Sequence, residues 1–304
     1  MSEVLGMIGV GDMGRPLAMR LLRAGFRLIV HDTNPAAVAA LVAHGATAAI
    51  SAQDVASRAK TVFACLPSPA VSEKVALGVT GVIHGATIQR YVEMSTIGAT
   101  TMQRIAQGLR ARSIALLDAP VSGGPTGERA GRLTCFVAAP REQFMQAELA
   151  LKGLSDRLFH IGETPGQAQI LKLANNMLNA ANLTLAVEMV LMARRGGIDE
   201  ATAIEVINAS TGRSRITEET FKAQVLTGAF NTGARLSILH KDVVLAVEQA
   251  RLLGVEHSAA EAVKVLWDMA EDQGHGGEDL SRIYQFIEGL ASPGTFSGAK
   301  GGQA

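Results

Sequence analysis

The head of the most apolar stretch in the chain carries one lysine and three asparagines. They fall in Gly166-Gln-Ala-Gln-Ile-Leu-Lys172-Leu-Ala-Asn175-Asn176-Met-Leu-Asn179. A lysine facing a protein interior is rarely left unpaired. Either Lys172 has a structural partner, or it does chemistry: a Lys screened from water and close to other cations can exchange a proton near neutrality. Lys172 and Asn176 are four apart and share a helix face. A second chemical stretch is Ser122-Gly123-Gly124. Adjacent glycines after a strand can present consecutive backbone N–H groups to an anion, with the Ser122 hydroxyl as a further donor, and a substrate carboxylate suits such a nest. The same residues would also make a flexible turn before a helix. The third stretch is Gly9-Val10-Gly11-Asp12-Met13-Gly14. Glycines at this spacing allow a tight turn, close approach of a pyrophosphate and close helix–strand packing. An ordinary glycine-rich turn shows the same pattern, so the next segment matters. Asp32 lies 18 residues beyond Gly14, near where an acidic residue meets the adenosine ribose hydroxyls. A carboxylate there repels a 2′-phosphate and Thr33 offers no cation to bind one, which favours NAD over NADP. Asp32 could instead cap the helix starting near Pro35, a role that Asn34 fills better.

These residues need elements to hold them. The stretch from Gly166 to Gly197 has no internal Pro or Gly and is rich in Ala, Leu and Met, so it reads as one helix closed by glycine. About 28 residues at 1.5 Å each span roughly 42 Å. Most of it is apolar on every side, so it should be buried on every side. Before it, strand and helix alternate. Val4–Val10 is a strand and Arg15–Ala24 a helix. Strand Phe26–Val30 leads to His31, which reads as a strand-end surface residue. Pro35–His44 is helical, Ala46–Ile50 a strand and Ala52–Arg58 helical. Strands at Thr61–Cys65, Tyr91–Met94, Ile114–Leu117, Leu133–Ala138 and Arg157–Ile161 complete a βα series of Rossmann type. The rigid Leu66-Pro67-Ser68-Pro69 and the Ser95-Thr96-Ile97-Gly98 segments follow strands, at the end where open α/β sheets bind ligands. After Gly166 the pattern is all helix: Asp199–Ala209 with Asp199 as N-cap, Ile238–Leu253, a helix opened by a Ser258-Ala-Ala-Glu261 capping box, and Leu280–Leu290. The expected architecture is an α/β Rossmann-type N-terminal domain over 1–164 and an all-α C-terminal domain over 165–290, joined by a long interdomain helix over 165–195. Residues 291–304 read as a flexible tail.

Composition narrows the function classes. Nearly half of the 304 residues are hydrophobic and under a fifth charged, so a sizeable core is expected. Lys plus Arg equals Asp plus Glu, 28 each, which gives no electrostatic reason to propose nucleic acid or anionic membrane as a partner. Cys65 and Cys135 sit in apolar runs and read as free thiols of a reducing, cytoplasmic compartment. The N-terminus enters a strand at once, leaving no room for a signal peptide. Met177–Ala193 is interrupted by Asn179, Asn182 and Glu188, so a buried soluble helix is preferred to a transmembrane one. No zinc or calcium spacing occurs, and no metal is expected. Trp267 sits among helix formers and reads as core. So apolar a helical half needs covering.

Taken in register, Gly9-Val-Gly-Asp-Met-Gly14, Asp118-Ala-Pro-Val-Ser-Gly-Gly124, Gly166 leading to Lys172-Leu-Ala-Asn-Asn176, and Lys241-Asp242 resemble the β-hydroxyacid dehydrogenases, the family of 3-hydroxyisobutyrate dehydrogenase and tartronate semialdehyde reductase. The resemblance spans residues 1 to about 290. It implies a hydride transfer between NAD and a small 3-hydroxy acid or its semialdehyde, with Lys172 as acid/base. It implies that Asn176, with Asn175, orients the substrate, and that Ser122, Gly123 and Gly124 hold its carboxylate. Leu66, Pro67 and Thr96 would line the nicotinamide side. Lys241 would reach cofactor and substrate, and Asp242 would brace its helix. A homodimer or homotetramer is the oligomer expected from the resemblance. Two departures, Gly131-Arg132-Leu133 and Val137-Ala-Ala-Pro140, put local turn geometry in question but not the chemistry. Arg213 or Arg215 could pair with a second anionic group on the substrate, or could simply be a solvated arginine at a helix start. The rivals are an imine reductase, which usually lacks the lysine, a sugar-phosphate oxidative decarboxylase, which needs a longer helical domain, and a catalytically silent dinucleotide-binding module.

Overall fold

The computed structural model describes residues 3–124 and 132–290. The tail over 291–304, together with Pro125 and Gly131, lies outside the described residues. Contacts divide the chain into two units. One runs to Asn175 and takes in Glu248–Val255; the other holds Asn176–Val247 and the residues from Glu256 onward.

The first unit is built on β1 (Val4–Ile8), β2 (Arg27–His31), β3 (Thr47–Ala48), β4 (Thr61–Ala64), β5 (Arg90–Glu93), β6 (Ala115–Asp118), β7 (Val121–Ser122), β8 (Thr134–Ala138) and β9 (Arg157–Gly162). The order β3-β2-β1-β4-β5-β6 is all parallel. β8 then pairs antiparallel with β6 and β7, and parallel with β9. Chain order reverses between β1 and β4, the switch point where such sheets take ligands. Alternation along the strands supplies two cores. Leu5, Met7, Val92 and Leu117 face one side, with α1 (Gly14–Arg23) and α6 (Arg141–Leu154). Ile8, Val62, Tyr91 and Leu116 face the other, with α3 (Ala52–Arg58), α4 (Pro69–Leu77) and α5 (Ala99–Arg110). Near-continuous apolar strands are what a sheet covered on both faces requires. Short β7 and helices α4, α5 and α6 are additions to the sequence reading, and β3 is shorter than expected.

Helix α7 (Gln167–Arg195) has 29 residues, about 43 Å at 1.5 Å each. It ends in a Schellman motif. Gly197 has φ +88°, its N–H bonds the Arg194 carbonyl, and the Ile198 N–H reaches the Ala193 carbonyl. By length and composition alone this helix is long and apolar enough to cross a membrane. Its apolar character is less evenly buried than expected. Ala180, Leu183, Val187 and Val190 are in the core of the second unit, but Leu178, Leu185, Met189 and Met192 are exposed.

The second unit continues with α8 (Glu200–Asn208), α9 (Leu236–Leu252), α10 (Ser258–Asp272) and α11 (Ile283–Leu290). Asp199 caps α8 by accepting from the Thr202 N–H. Trp267 is fully buried and donates to Thr184 Oγ1 at 3.0 Å. The Ser258 capping box does not form: His257 occupies the N-cap without a side-chain cap bond, its ring lying instead 3.6 Å from Glu261 Oε1, and Glu256 accepts from the Ser258 N–H. A π-helix over Ile216–Val225 was not foreseen. Ile216, Thr217, Phe221 and Val225 are buried along it, and the Leu226 N–H bonds the Phe221 carbonyl five residues back, the π-helical pattern.

Candidate active site

The glycine loop follows β1 and turns directly against the residue after β4. Gly9 has φ +80°, and a Cβ there would lie 2.2 Å from the Cys65 carbonyl oxygen. A Cβ on Gly14 would lie 1.9 Å from the Gly9 carbonyl oxygen, so the start of α1 packs on the turn itself. A Cβ on Gly11 would meet nothing within 4 Å. Two glycines are thus required by the fold, while the third leaves open space over the head of α1. Met13, the N-cap, makes no side-chain cap bond there, and Asp12 is exposed. This cradle fits a dinucleotide pyrophosphate. Gly14→Ala is expected to lower stability by about 1–3 kcal/mol. Gly11→Ala should melt like wild type yet bind NAD more weakly. Thermal unfolding with a NAD fluorescence titration checks both, and equal NAD affinity in Gly11→Ala would contradict the cradle.

Asp32 sits just past β2. Its Oδ2 accepts from the Val10 N–H at 2.7 Å and its Oδ1 from the Asn34 N–H at 2.8 Å. Each oxygen keeps a lone pair for a ribose hydroxyl. Asn34, not Asp32, caps the next helix, α2 (Pro35–Val42), through its Oδ1 and the Ala36 N–H. Thr33 is exposed. Val10 is fully buried and its amide is committed to Asp32, so it shapes the turn. His31 ends β2 with its ring against the Ala49 carbonyl.

Leu66, half-buried, donates its N–H to Ser95 Oγ at 2.7 Å, which joins the loops after β4 and β5; Pro67 is exposed and Thr96 half-buried. Beneath them Glu93 is fully buried, accepting from Tyr91 Oη at 3.1 Å and the Ser95 N–H at 3.0 Å. Burial pushes the Glu93 carboxyl upward against these hydrogen bonds. Burial, with Glu93 nearby, raises the Tyr91 phenol well above its usual range and the Cys65 thiol to about 12. Neither phenolate nor thiolate is therefore available for chemistry. Cys65 and Cys135 are both free thiols.

Ser122 pairs with Thr134 of β8, and Gly123 and Gly124 follow at φ +138° and +58°. Asn175 Nδ2 reaches Ser122 Oγ at 3.4 Å. Lys172 is only 7% exposed, an unusual position for an ammonium. Its helix is anchored by two residues to which the sequence reading assigned no role. Asp118, at the end of β6, accepts through Oδ2 from the N–H groups of Gly166, Ala168 and Gln169 at 2.8, 3.1 and 3.3 Å. Gln169 bonds both Asp118 and the loop after β5. The local bonds at the helix start, Thr164 N–H to Gln167 Oε1 at 2.9 Å and Gln167 N–H to the Thr164 carbonyl at 3.2 Å, answer none of the three amides that Asp118 takes up, and those need an acceptor from elsewhere.

In the helical unit, Asp242 is buried between two partners. Asn176 Nδ2 donates to its Oδ2 and Lys241 Nζ to its Oδ1, each at 2.5 Å. Asp242 thus links Asn176 on α7 to Lys241 on its own helix α9. Arg215 is spent on a surface pair with Glu219 at 3.1 Å, and Arg213 is exposed. Among the described residues no group of His, Cys, Asp and Glu could hold a metal ion.

Residues 4–162 match the family model described as the NAD binding domain of 6-phosphogluconate dehydrogenase. Residues 166–287 match that described as NAD-binding of NADP-dependent 3-hydroxyisobutyrate dehydrogenase. The chain belongs to the β-hydroxyacid dehydrogenase family. Within it, the chain is 31% identical over 288 residues to 2-(hydroxymethyl)glutarate dehydrogenase of Eubacterium barkeri, covering 94% of this chain and 95% of that one. It is 31% identical to 3-hydroxyisobutyrate dehydrogenase of Pseudomonas aeruginosa, covering 94% and 98%. The crystal structure of a 3-hydroxyisobutyrate dehydrogenase from Salmonella typhimurium superimposes with a TM-score of 0.82 at 27% identity, covering 94% and 100%. Membership of the β-hydroxyacid dehydrogenase family brings a nicotinamide dinucleotide as cofactor and CH–OH groups as the site of reaction.

Proposed function

We propose that this protein is a soluble, cytoplasmic, NAD-dependent dehydrogenase of a small 3-hydroxy acid, or reductase of the corresponding semialdehyde. The observation that carries the reading is Lys172, a buried lysine on a helix whose first turn is hydrogen-bonded to the strand ends bearing Thr96 and Asp118. The chemistry that NAD supplies when bound is hydride exchange at its nicotinamide. Gly9, Gly11 and Gly14 would hold its pyrophosphate and Asp32 its ribose; Leu66, Pro67 and Thr96 would line its nicotinamide side. Ser122, Gly123 and Gly124 bind the substrate carboxylate through backbone and hydroxyl donors. Asn175 and Asn176 orient the substrate, Asn176 being held together with Lys241 by Asp242. In oxidation Lys172 Nζ, as the neutral amine, takes the hydroxyl proton; in reduction it returns that proton as the ammonium.

A panel of 3-hydroxyisobutyrate, L-serine, glycerate and threonate with NAD and NADP in parallel, and of tartronate semialdehyde with NADH and NADPH, tests this. Turnover of at least one acid with NAD is expected. No turnover despite tight NAD binding would favour the silent dinucleotide module, and a strong NADP preference would contradict the role of Asp32. An imine reductase has no evident need of the lysine.

For the assembly we propose a homodimer, or a homotetramer built from it. Leu178, Leu185 and Met192 recur every seven residues along α7 at 63%, 54% and 62% exposure, a stripe that a second helix could cover. Leu185→Glu should shift the sedimenting species toward monomer at micromolar concentration. A monomeric wild type would end the assignment.

A further inference from the structure

Gln169 ties three chain segments together. Its Oε1 accepts from the Ile97 and Gly98 N–H groups at 2.8 and 3.1 Å. Its Nε2 donates to the Ser95 carbonyl at 3.1 Å and to Asp118 Oδ1 at 2.8 Å. These use every hydrogen-bonding position of a glutamine amide, and the residue is fully buried. The orientation admits no alternative. The oxygen faces two backbone donors, and the nitrogen faces a carbonyl and a carboxylate. A flipped amide would set donor against donor and acceptor against acceptor. At one remove the same network reaches the loop after β4, because Ser95 Oγ accepts from the Leu66 N–H. Around Asp118 the facing groups are the Gly166, Ala168 and Gln169 amides and the Cys135 thiol, which is held protonated by burial and by Asp118.

The network is larger than a helix start requires. Asp118 alone answers three amides at the head of α7. What Gln169 adds is a rigid link from that helix to the backbone on both sides of Thr96. Lys172 is three residues further along, on the same side of the helix.

We propose that Gln169 is a positioning residue for the transfer step. It sets the placement of Lys172, which moves the proton, relative to the Leu66 and Thr96 loops, which seat the hydride acceptor. This rests on the roles proposed above for Lys172, Leu66 and Thr96. Proton and hydride leave adjacent atoms of one substrate, so the two groups receiving them must be held to within a fraction of an ångström.

The test compares Gln169→Met and Gln169→Glu with wild type, using NAD and 3-hydroxyisobutyrate, or whichever panel acid is turned over fastest. Gln169→Met keeps the length and loses all four bonds. It should bind NAD as wild type does and lose roughly 10- to 100-fold in kcat. Its primary deuterium isotope effect, with the acid deuterated at the carbinol carbon, should rise because hydride transfer becomes the slow step. A residue that only supports the fold would lower the melting temperature without moving the isotope effect. Gln169→Glu gives a pH readout. Its carboxyl faces Asp118, so the pair takes up a proton as pH falls, and the protonated Glu restores one of the two donors lost. Its kcat relative to wild type should therefore rise as pH falls from about 8 to about 6. If Gln169→Met does not fold, the Gln169→Glu profile decides. Parallel pH profiles, or a Gln169→Met enzyme with wild-type kcat and isotope effect, overturn the proposal. Lys172→Met, measured alongside, separates it from its parent reading. An active Lys172→Met overturns the role of Lys172 and this one with it. An inactive Lys172→Met beside unaffected Gln169 variants overturns Gln169 alone.

Discussion

Replacing Lys172 with Met is expected to lower kcat by roughly 10²- to 10⁴-fold while leaving NAD affinity close to wild type. That loss corresponds to about 3–5 kcal/mol of transition-state stabilisation. Met keeps the length and apolar stem of the buried side chain and removes only the ammonium, so the fold should persist. The buried acids beneath the loops after β4 and β5 are weak candidates for taking the proton in oxidation. Burial holds the Tyr91 phenol and the Cys65 thiol in their protonated forms, and Glu93 is buried under hydrogen bonds of its own. Lys172→Arg separates proton transfer from simple charge. Arg keeps the positive charge but does not deprotonate in proteins, so a proton-transfer role predicts an Arg variant nearly as slow as the Met variant. If Lys172 acted only by attracting the substrate carboxylate, Arg would recover most of the activity and Met would raise KM more than it lowers kcat. Methylammonium added to a Lys172→Ala enzyme should restore part of the lost rate by occupying the vacated volume. Steady-state kinetics on all three variants decide the matter, and near-wild-type kcat in Lys172→Met removes Lys172 from the role.

Much of this arrangement was legible before any coordinates, for definite reasons. The glycine loop and Asp32 are local features: a strand, a turn and a helix that must carry Gly at fixed places, then an acid one strand later. Period and punctuation also marked α7, because Gly166 and Gly197 bound a run without breakers. What stayed hidden depends on contacts distant in sequence. Gln169 lies 71 and 72 residues from the amides it holds, and Asp118 lies 48 residues from the helix it caps. Asp242 and Asn176 are 66 apart. No spacing rule joins such pairs. The Ser258 capping box failed because the helix starts one residue early, with His257 at the cap. The exposed stripe of α7 failed differently: an apolar helix says that its faces are covered, not by which chain. The π-helix over Ile216–Val225 is defined by its backbone bonds, and its buried Thr217, Phe221 and Val225 fall four apart as they would in an α-helix, so side-chain spacing does not announce it.

Replacing Asp118 with Asn is expected to lower stability by leaving a buried donor without a partner. The carboxylate is 0% exposed and answers three backbone N–H groups and one side-chain N–H. Asn can replace Oδ2 with its own oxygen, but its NH₂ then faces Gln169 Nε2, donor against donor. Gln169 cannot turn to relieve this without orphaning the Ile97 and Gly98 amides. A buried donor without a partner costs about 1–3 kcal/mol, and Asp118→Ala, which abandons all four donors, should cost more. The pH dependence has a definite sign. Burial outweighs the hydrogen bonds and pushes the Asp118 carboxyl from 3.8 up to about 6. Between these values the folded chain binds more protons than the unfolded one, so this group's contribution to stability declines as pH rises through that window. A shift of about two units corresponds to about 3 kcal/mol. The wild type's advantage over Asp118→Asn should therefore be larger near pH 4 than near pH 7. Urea unfolding of both proteins across this range measures the gap. A gap that widens with rising pH would mean that the four N–H donors outweigh burial and that Asp118 titrates below its ordinary range. Either result keeps the carboxylate ionised above pH 6, the form in which it can accept from Gln169 and hold the helix that carries Lys172.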